Sequence, residues 1–526
     1  MSTPERAACW CSSSSPAVWV GSPCVASGSL PFSGGEKRNP IAMARCLERI
    51  QSRSQAMQRR SSRHFGSFRD PESWILQATE GIYRRVPGTW VDRVGRPEAA
   101  AFLGKEVAEG RLVAGSLLTD EESLAAGLED GSGGRHLSHP RLPFVSYPYE
   151  WSASMLADAG RLTLDLQCGL LGLGLELKDA TAFNVLFNRG RPIFVDWGSF
   201  RPPFRSDSWY ALGQFQRMFL YPILLRAARG WTPAQSFASR LDGVPLATVV
   251  KELGRWYGIL TPSLWLDVLL PSWLEARHQK RPMATVARAP TGSLGPGIQI
   301  SNLRRIRRLL DRLEHRFLQD SVWHDYAVDC HYESEAEAAK RSLVREFLVA
   351  AAPKTVIDLG CNSGAYSRIA SDLGSRVVAV DGDEGAISRL YSELRKSPAD
   401  IHPVVVSLSN PSPGAGWLNR ECTPFLDRGT SDCAMALALV HHLRVSCNCP
   451  IDQIVDFLDA LGRHHIIAEF VPREDPMFQT ITRLRDEGYG DWTLESWRQS
   501  LQRHFVLVRE ARLPSSPRTL GLWRRK

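Results

Sequence analysis

Thr355 to Asp381 reads TVIDLGCNSGAYSRIASDLGSRVVAVD, and the fold class follows from it. Val356 and Ile357 belong to a short apolar run of the kind a doubly covered parallel strand requires, ending at Asp358. Gly360 and Gly364 follow at once. Without a Cβ they permit positive φ and let the backbone approach a ligand. Ala365 to Leu373 has helical spacing, with Gly374 as its stop. Arg376 to Asp381 is a second apolar run that also ends in an aspartate. The stretch is one βαβ unit, and a ligand site is expected at the carboxyl edge of its strands.

The alternation continues to the end of the chain. Ile401 to Leu408 (IHPVVVSL) reads as a third strand, and Ser431 to Leu439 (SDCAMALAL) as a fourth, followed by Val440, His441 and His442. Ile451, Ile454, Val455, Leu458 and Leu461 form a helical stripe, and His465 to Val471 is a fifth strand. Phe505 to Leu513 and Thr519 to Trp523 lie too close in sequence for a parallel crossover, so they pair antiparallel. The expectation is a Rossmann-like, seven-stranded α/β domain.

The turn D-L-G-C-N-S-G lacks the G-x-G-x-x-G spacing of dinucleotide folds. It resembles motif I, roughly D-x-G-x-x-x-G, of the class I S-adenosylmethionine (SAM)-dependent methyltransferases, whose parallel sheet also ends in an antiparallel hairpin. The resemblance implies SAM as cofactor. It places Asp358, Gly360, Cys361 and Gly364 against the methionine and ribose parts, Asp381 on the ribose, and Ser409 and Asn410 beside the adenine. A sulfonium methyl is already activated, so the protein mainly has to align an acceptor atom. Candidates for proton removal stand at the carboxyl ends of strands four and five: His441, His442 and Glu469. Histidine suits general-base work near neutral pH. The competing reading has one histidine packing or capping a helix and the other bonding a loop.

A chain of 526 residues has room for about two or three domains, and 43% hydrophobic content supports sizeable cores. The net charge of +8 is spread over scattered arginines, which does not indicate a nucleic-acid partner. The 11 cysteines are mostly isolated, consistent with a reducing, cytoplasmic setting. Cys447 and Cys449 lack the second pair that a zinc site needs, so no metal is expected there. Met218 to Ala228, the most apolar stretch, is too short to span a bilayer.

Residues 1–63, rich in Ser, Gly, Pro and Arg, read as a disordered or mis-started extension, with Met43 or Met57 as alternative starts. Residues 64–280 read as an N-terminal α+β domain, 281–300 as a linker and 301–526 as the methyltransferase domain. Trp74 to Val86 looks like a hairpin turning near Thr79 to Gly81, with helices around Glu98 to Glu109 and Leu117 to Leu128 and a loop at Gly131 to Gly134. Leu303 to Leu318 is an amphipathic helix with Arg304, Arg305, Arg307, Arg308 and Arg312 opposite its apolar face. Ser334 and Glu337 form a capping box, preceded by Trp323, Tyr326 and Tyr332 as cofactor covers or core anchors.

Lys178 to Phe200 (KDATAFNVLFNRGRPIFVDWGSF) carries a second constellation. It resembles the catalytic loop and metal motif of protein kinases and aminoglycoside-type phosphotransferases. That resemblance implies Asp179 as base and Asn184 and Asp196 as metal ligands. A Gly-rich phosphate loop and a strand lysine are missing, and the region upstream looks too short and too helical for a complete nucleotide-binding lobe. It reads as a remnant kinase-like lobe; the alternative is a hairpin whose polar groups satisfy backbone.

From Phe65 onward the chain also resembles a two-part bacterial methyltransferase family that includes host-specific nodulation proteins. VSYPYEW (Val145 to Trp151), KDATAFNVLF, VDWGSF, the W-x-x-Y before the capping box, DLGCNSG and ALALVHHL carry that resemblance. It implies methyl transfer to an acceptor that it does not name. The rival readings are a kinase-like phosphotransferase and a non-catalytic SAM-binding partner protein.

Overall fold

The computed structural model describes residues 62–78, 81–128, 133–204, 208–260, 264–271, 295–319, 335–485 and 488–526. The extension up to residue 61, most of the linker, Trp323, Tyr326, Tyr332 and Ser334 lie outside these residues, while Ser62 and Arg63, read as the end of the extension, form a strand.

The N-terminal part begins with a five-stranded antiparallel sheet in the order β1-β2-β3-β5-β4. Its strands are β1 (Ser62–Arg63), β2 (Trp74–Ala78), β3 (Gly81–Val86), β4 (Ser116–Leu117) and β5 (Arg135–His139). The expected hairpin is β2–β3, and the expected helices are Pro97–Ala108 and the short Asp120–Ala125. A complete sheet in a region read as mostly helical is the largest departure from the sequence reading. The missing signal is physical: β4 is two residues long, and β5 (RHLSH) has no apolar alternation.

Helix α1 (Ala153–Gly172) follows, opened by Ser152, whose side chain accepts the Met155 N–H. Beyond it come β6 (Glu176–Leu177), the hairpin β7 (Val185–Asn188) and β8 (Arg191–Phe194), and β9 (Phe200–Arg201). Helix α2 (Pro296–Gln319) starts five residues inside the stretch read as linker, because Pro296 suits a first helical turn. Its apolar stripe is buried, and it packs on α1. Two of its arginines are ion-paired, Arg305 with Asp267 at 2.7 Å and Arg307 with Asp165 at 2.8 Å, as a packed helix with a charged face requires.

Helix α3 (Glu335–Ala351) leads into the main sheet, a seven-stranded one in the order β12-β11-β10-β13-β14-β16-β15. The strands are β10 (Thr355–Leu359), β11 (Arg376–Asp381), β12 (Ile401–Val405), β13 (Ser431–Ala436), β14 (Gly462–Phe470), β15 (Phe505–Arg512) and β16 (Thr519–Arg525). The first five are parallel, and β16 runs antiparallel to both β14 and β15. Helices α4 (Ala365–Asp372), α5 (Glu384–Lys396), α6 (Val440–Ser446) and α7 (Ile451–Leu461) lie between strands, and α8 (Pro476–Thr482) follows β14. Chain order reverses at β10, so a crevice opens beyond the carboxyl ends of β10, β11 and β13.

The two halves meet along a polar seam. Arg428 forms an ion pair with Glu150, donates to the Val145 carbonyl at 2.6 Å, and lies over the rings of Tyr147 and Phe144. His402 on β12 meets Ser146 Oγ at 2.9 Å, and Ser146 accepts the Trp151 indole N–H at 2.9 Å. Burial, then Arg428, pushes the His402 pKa down to about 3, so it is neutral. Asp158 of α1 binds Tyr391 Oη at 2.6 Å and Arg395 at 2.7 Å on α5. The VSYPYEW stretch is thus the joint between the halves.

Glu150 is fully buried, so removing its cation strands a charge. Arg428→Ala is expected to destabilise the protein by about 3–5 kcal/mol, read by chemical denaturation. A loss below about 1 kcal/mol would show that the pair behaves like an exposed one.

Candidate functional site

The glycine turn between β10 and α4 forms the floor of the crevice. Gly360 and Gly364 have φ of 71° and 82°, which side chains rarely adopt. A Cβ on Gly364 would stand 2.6 Å from Leu390 Cδ1, and one on Gly360 3.4 Å from Leu439 Cδ1. The Gly360 and Cys361 N–H groups both donate to the Val380 carbonyl, at 2.8 and 3.0 Å, which fastens the turn to β11.

Asp381 is half-buried at the end of β11. One oxygen accepts the Asn362 N–H at 2.9 Å and the other the Asp383 N–H at 2.9 Å. Ser409 and Asn410 are exposed on the turn after β12, with the Ser409 hydroxyl 3.0 Å from that of Ser407. Asp381, Gly360, Gly364 and the Ser407–Asn410 turn therefore share one edge of the sheet.

Asp358 and Cys361 sit deeper. Cys361 is buried, and burial pushes its thiol well up. Asp358 accepts the Ser367 hydroxyl at 2.5 Å and holds the start of α4 from beneath. Burial, opposed by Ser367 and reinforced by Asp381, pushes its pKa up to about 6.

Beyond β13 the chain turns through Ala438 (φ 49°) into α6, which carries His441 and His442 with ring centroids 4.2 Å apart. His441 is fully buried, and among the described residues neither ring nitrogen has a hydrogen-bond partner. Burial, then His442 and Arg518, pushes its pKa down to about 3. His442 is half-buried; burial, then Arg518, lowers its pKa, so it is unprotonated at neutral pH.

Glu469, near the end of β14, is fully buried. Its Oε2 meets Lys340 Nζ at 2.7 Å and accepts the Ala438 N–H at 2.8 Å, while Oε1 lies 3.5 Å from Arg518. Arg518 also binds Asp475 through two donors, at 2.7 and 3.0 Å. The sequence reading missed Lys340, Arg518 and Asp475. Lys340 lies in a helix read only for its cap, and the other two lie in connections without a motif.

The second constellation stands apart in the N-terminal half. Asp196 Oδ1 is ion-paired with Arg84 of β3 at 2.6 Å, and its Oδ2 accepts from Asn184 Nδ2 at 3.0 Å. Burial first, then Asp196, raises the Asp179 pKa. Among the described residues no three His, Cys, Asp or Glu side chains gather as a metal site, and no helix is long and apolar enough to cross a membrane.

The sheet order, the glycine turn after β10 and the reversed β16 define a class I methyltransferase fold. The chain belongs to the family of nodulation protein NoeA: it is 31% identical to that protein of Rhizobium meliloti (strain 1021) over 469 residues, 89% of this chain and 97% of the relative. No protein-family model matches. Among solved structures, the N-methyltransferase NodS from Bradyrhizobium japonicum WM9 in complex with S-adenosyl-L-homocysteine covers 41% of this chain and 97% of its own, at 14% identity and TM-score 0.29. Magnesium protoporphyrin IX methyltransferase (ChlM) from Synechocystis PCC 6803 with bound SAM covers 41% and 97%, at 15% identity and TM-score 0.28.

Asp358 supplies a pH test. Its pKa rises from 3.8 in the unfolded chain to about 6 in the fold. Between those values the folded state holds a proton that the unfolded chain has lost, so stability falls as pH rises through the window. Asp358→Asn has no such proton. Its stability relative to wild type is expected to improve by about 2–3 kcal/mol from about pH 4 to pH 8, measured by denaturation at each pH. A pH-independent difference would contradict the buried-carboxyl assignment.

Proposed function

We propose that this protein is a SAM-dependent methyltransferase, with cofactor and acceptor meeting at the carboxyl edge of the seven-stranded sheet. The observation that carries the reading is Asp381: a carboxylate at the end of β11, beside a turn whose two glycines have positive φ, at the point where strand order reverses. The donor set fits a nucleoside. The Asp381 carboxylate can exchange its Asn362 and Asp383 N–H bonds for those of ribose hydroxyls. Ser409 and Asn410 offer polar groups toward a base, and Gly360, Cys361 and Gly364 line the turn. Asp358 shapes that turn from below through Ser367.

When bound, SAM supplies an electrophilic methyl group. The chain's own part is to orient an acceptor over the turn and, for a hydroxyl or amine, to take its proton. His442 is suited to that proton transfer, being half-buried, unprotonated at neutral pH, and borne on the helix that follows β13. His441, enclosed beside it, sets its ring position. Residues 64–280 serve as a scaffold that carries the kinase-like remnant. A phosphotransferase would need Asp196 free for a metal ion, whereas both its oxygens are engaged by Arg84 and Asn184.

Calorimetric titration tests the reading, with SAM and Mg²⁺-ATP as parallel titrants. SAM is expected to bind and ATP to give no response. Asp381→Ala should lose about tenfold or more in SAM affinity, since hydrogen bonds to a charged group contribute about 1.5–3 kcal/mol. Asp196→Asn should bind SAM as wild type does. Undiminished SAM affinity in Asp381→Ala would refute the proposal.

A further inference from the structure

Glu469 lies where a proton acceptor would be sought, yet it is fully buried and both its oxygens face donors of the protein. Oε2 holds two donors, the Lys340 ammonium and the Ala438 N–H, and Oε1 faces Arg518. We propose that Glu469 is a positioning residue and that Lys340 completes it. Together they clamp the Ala438–Leu439 turn against the glycine turn of the cofactor site. The inference rests on the methyltransferase reading of this cleft and goes beyond it by assigning two residues to the geometry of cofactor binding.

The Ala438 backbone explains why a clamp is needed. Its φ of 49° is left-handed, a conformation that brings the Cβ of an L-residue too close to its carbonyl oxygen. A charge-assisted hydrogen bond from its N–H to a dry carboxylate holds it there. The next residue, Leu439, closes over Gly360, and α6 with its histidine pair starts at Val440. One bond therefore sets both the roof over the glycine turn and the origin of the helix bearing His441 and His442.

Lys340 reaches Glu469 from α3, outside the sheet, with a side chain only 9% exposed. Its ammonium also lies 4.9 Å from the Tyr366 ring centroid, and Tyr366 donates to Glu337 at 2.8 Å, so α3 is bound to α4 as well. Lys340 from α3 and Arg518 before β16 contact the Glu469 carboxylate, and Tyr366 from α4 lies within its field; His441 from α6 stands near both cations, and Asp475 before α8 binds Arg518. His441 is neutral, and Arg518 is shared with Asp475, which leaves Lys340 as the cation that Glu469 holds at close range. Without it, a fully buried carboxylate takes up a proton or moves toward water. A neutral acid is a weaker acceptor for the Ala438 N–H.

Two readouts on the full-length protein test the clamp. The first needs no cofactor: hydrogen exchange of the peptide spanning Leu437–Leu439, followed by mass spectrometry. Lys340→Met should speed exchange there by about tenfold or more, and Lys340→Arg should restore protection. The second is SAM affinity across about pH 6–9. Lys340→Met should bind more weakly than wild type, with the ratio of the two affinities narrowing toward one as pH rises, while Lys340→Arg tracks wild type at every pH. Glu469→Gln should weaken SAM binding severalfold without pH dependence. If Lys340→Met is poorly folded, Glu469→Gln and Lys340→Arg carry the test. Wild-type exchange in both Lys340→Met and Glu469→Gln would overturn the clamp even if SAM binds. A wild-type protein that binds no SAM would overturn the methyltransferase reading instead, which the exchange arm separates from failure of the clamp.

Discussion

Glu150 has no contact with solvent, and its charge is met from the other half of the molecule by Arg428. A buried carboxylate cannot stay ionised alone, so the halves are bound to each other as firmly as that charge requires. The surrounding contacts are consistent with one fixed arrangement. The Trp151 indole donates to Ser146 Oγ, the Ser146 hydroxyl is left to donate to His402 Nε2, and the Phe187 carbonyl meets the other imidazole nitrogen. A protonated imidazole has no place in that chain, in keeping with its pKa pushed down to about 3. Because His402 lies on β12, the outermost parallel strand, the seam reaches the edge of the sheet.

The seam bears on the cleft through the segment that follows β12. Ser409 and Asn410 lead into residues 411–425, where the Thr423 N–H donates to Tyr147 Oη at 2.9 Å and Glu421 pairs with Arg69 at 2.7 Å. The Ser407–Asn410 turn, proposed to meet the adenine, is thus anchored by the N-terminal half. At the other end of the cleft, Lys340 ties α3 to β14. Both walls of the proposed cofactor site are held from outside the sheet, which gives a physical reason for family-like stretches in both halves of the chain.

Much of the methyltransferase half was legible because its strands are fully covered. Such strands read as unbroken apolar runs, and their ends fall within a few residues of those expected: Ile401–Val405 within Ile401 to Leu408, and Ser431–Ala436 within Ser431 to Leu439. The overestimates have one cause. Leu437, Leu439 and Leu408 are apolar residues of the cleft turns, and composition does not separate a turn from a strand. Of the N-terminal sheet only the β2–β3 hairpin was legible, since two-residue strands carry no period. The clamp residues were invisible for another reason: Lys340 and Glu469 are 129 positions apart, and opposite charges at that separation leave no trace in a single sequence.

The stretch that resembles a kinase motif brings its polar residues together around a different cation. The D-x-x-x-x-N loop and the D-W-G turn do come together, with Asn184 bonded to Asp196 as the resemblance implies. What differs is the cation. Arg84 reaches in from β3, donates to Ser73 at 3.3 Å and to the Val195 carbonyl at 3.4 Å, and places its guanidinium on Asp196. A permanent charge within the fold thus neutralises Asp196 without a metal ion, and a guanidinium that also bonds Ser73 and backbone is not readily displaced. The same hairpin presses Phe187 against Tyr391 and Gly190 against Leu394, both on α5 of the methyltransferase half. A motif that elsewhere orders phosphates here orders the joint, with the arginine supplying the positive charge that its geometry demands.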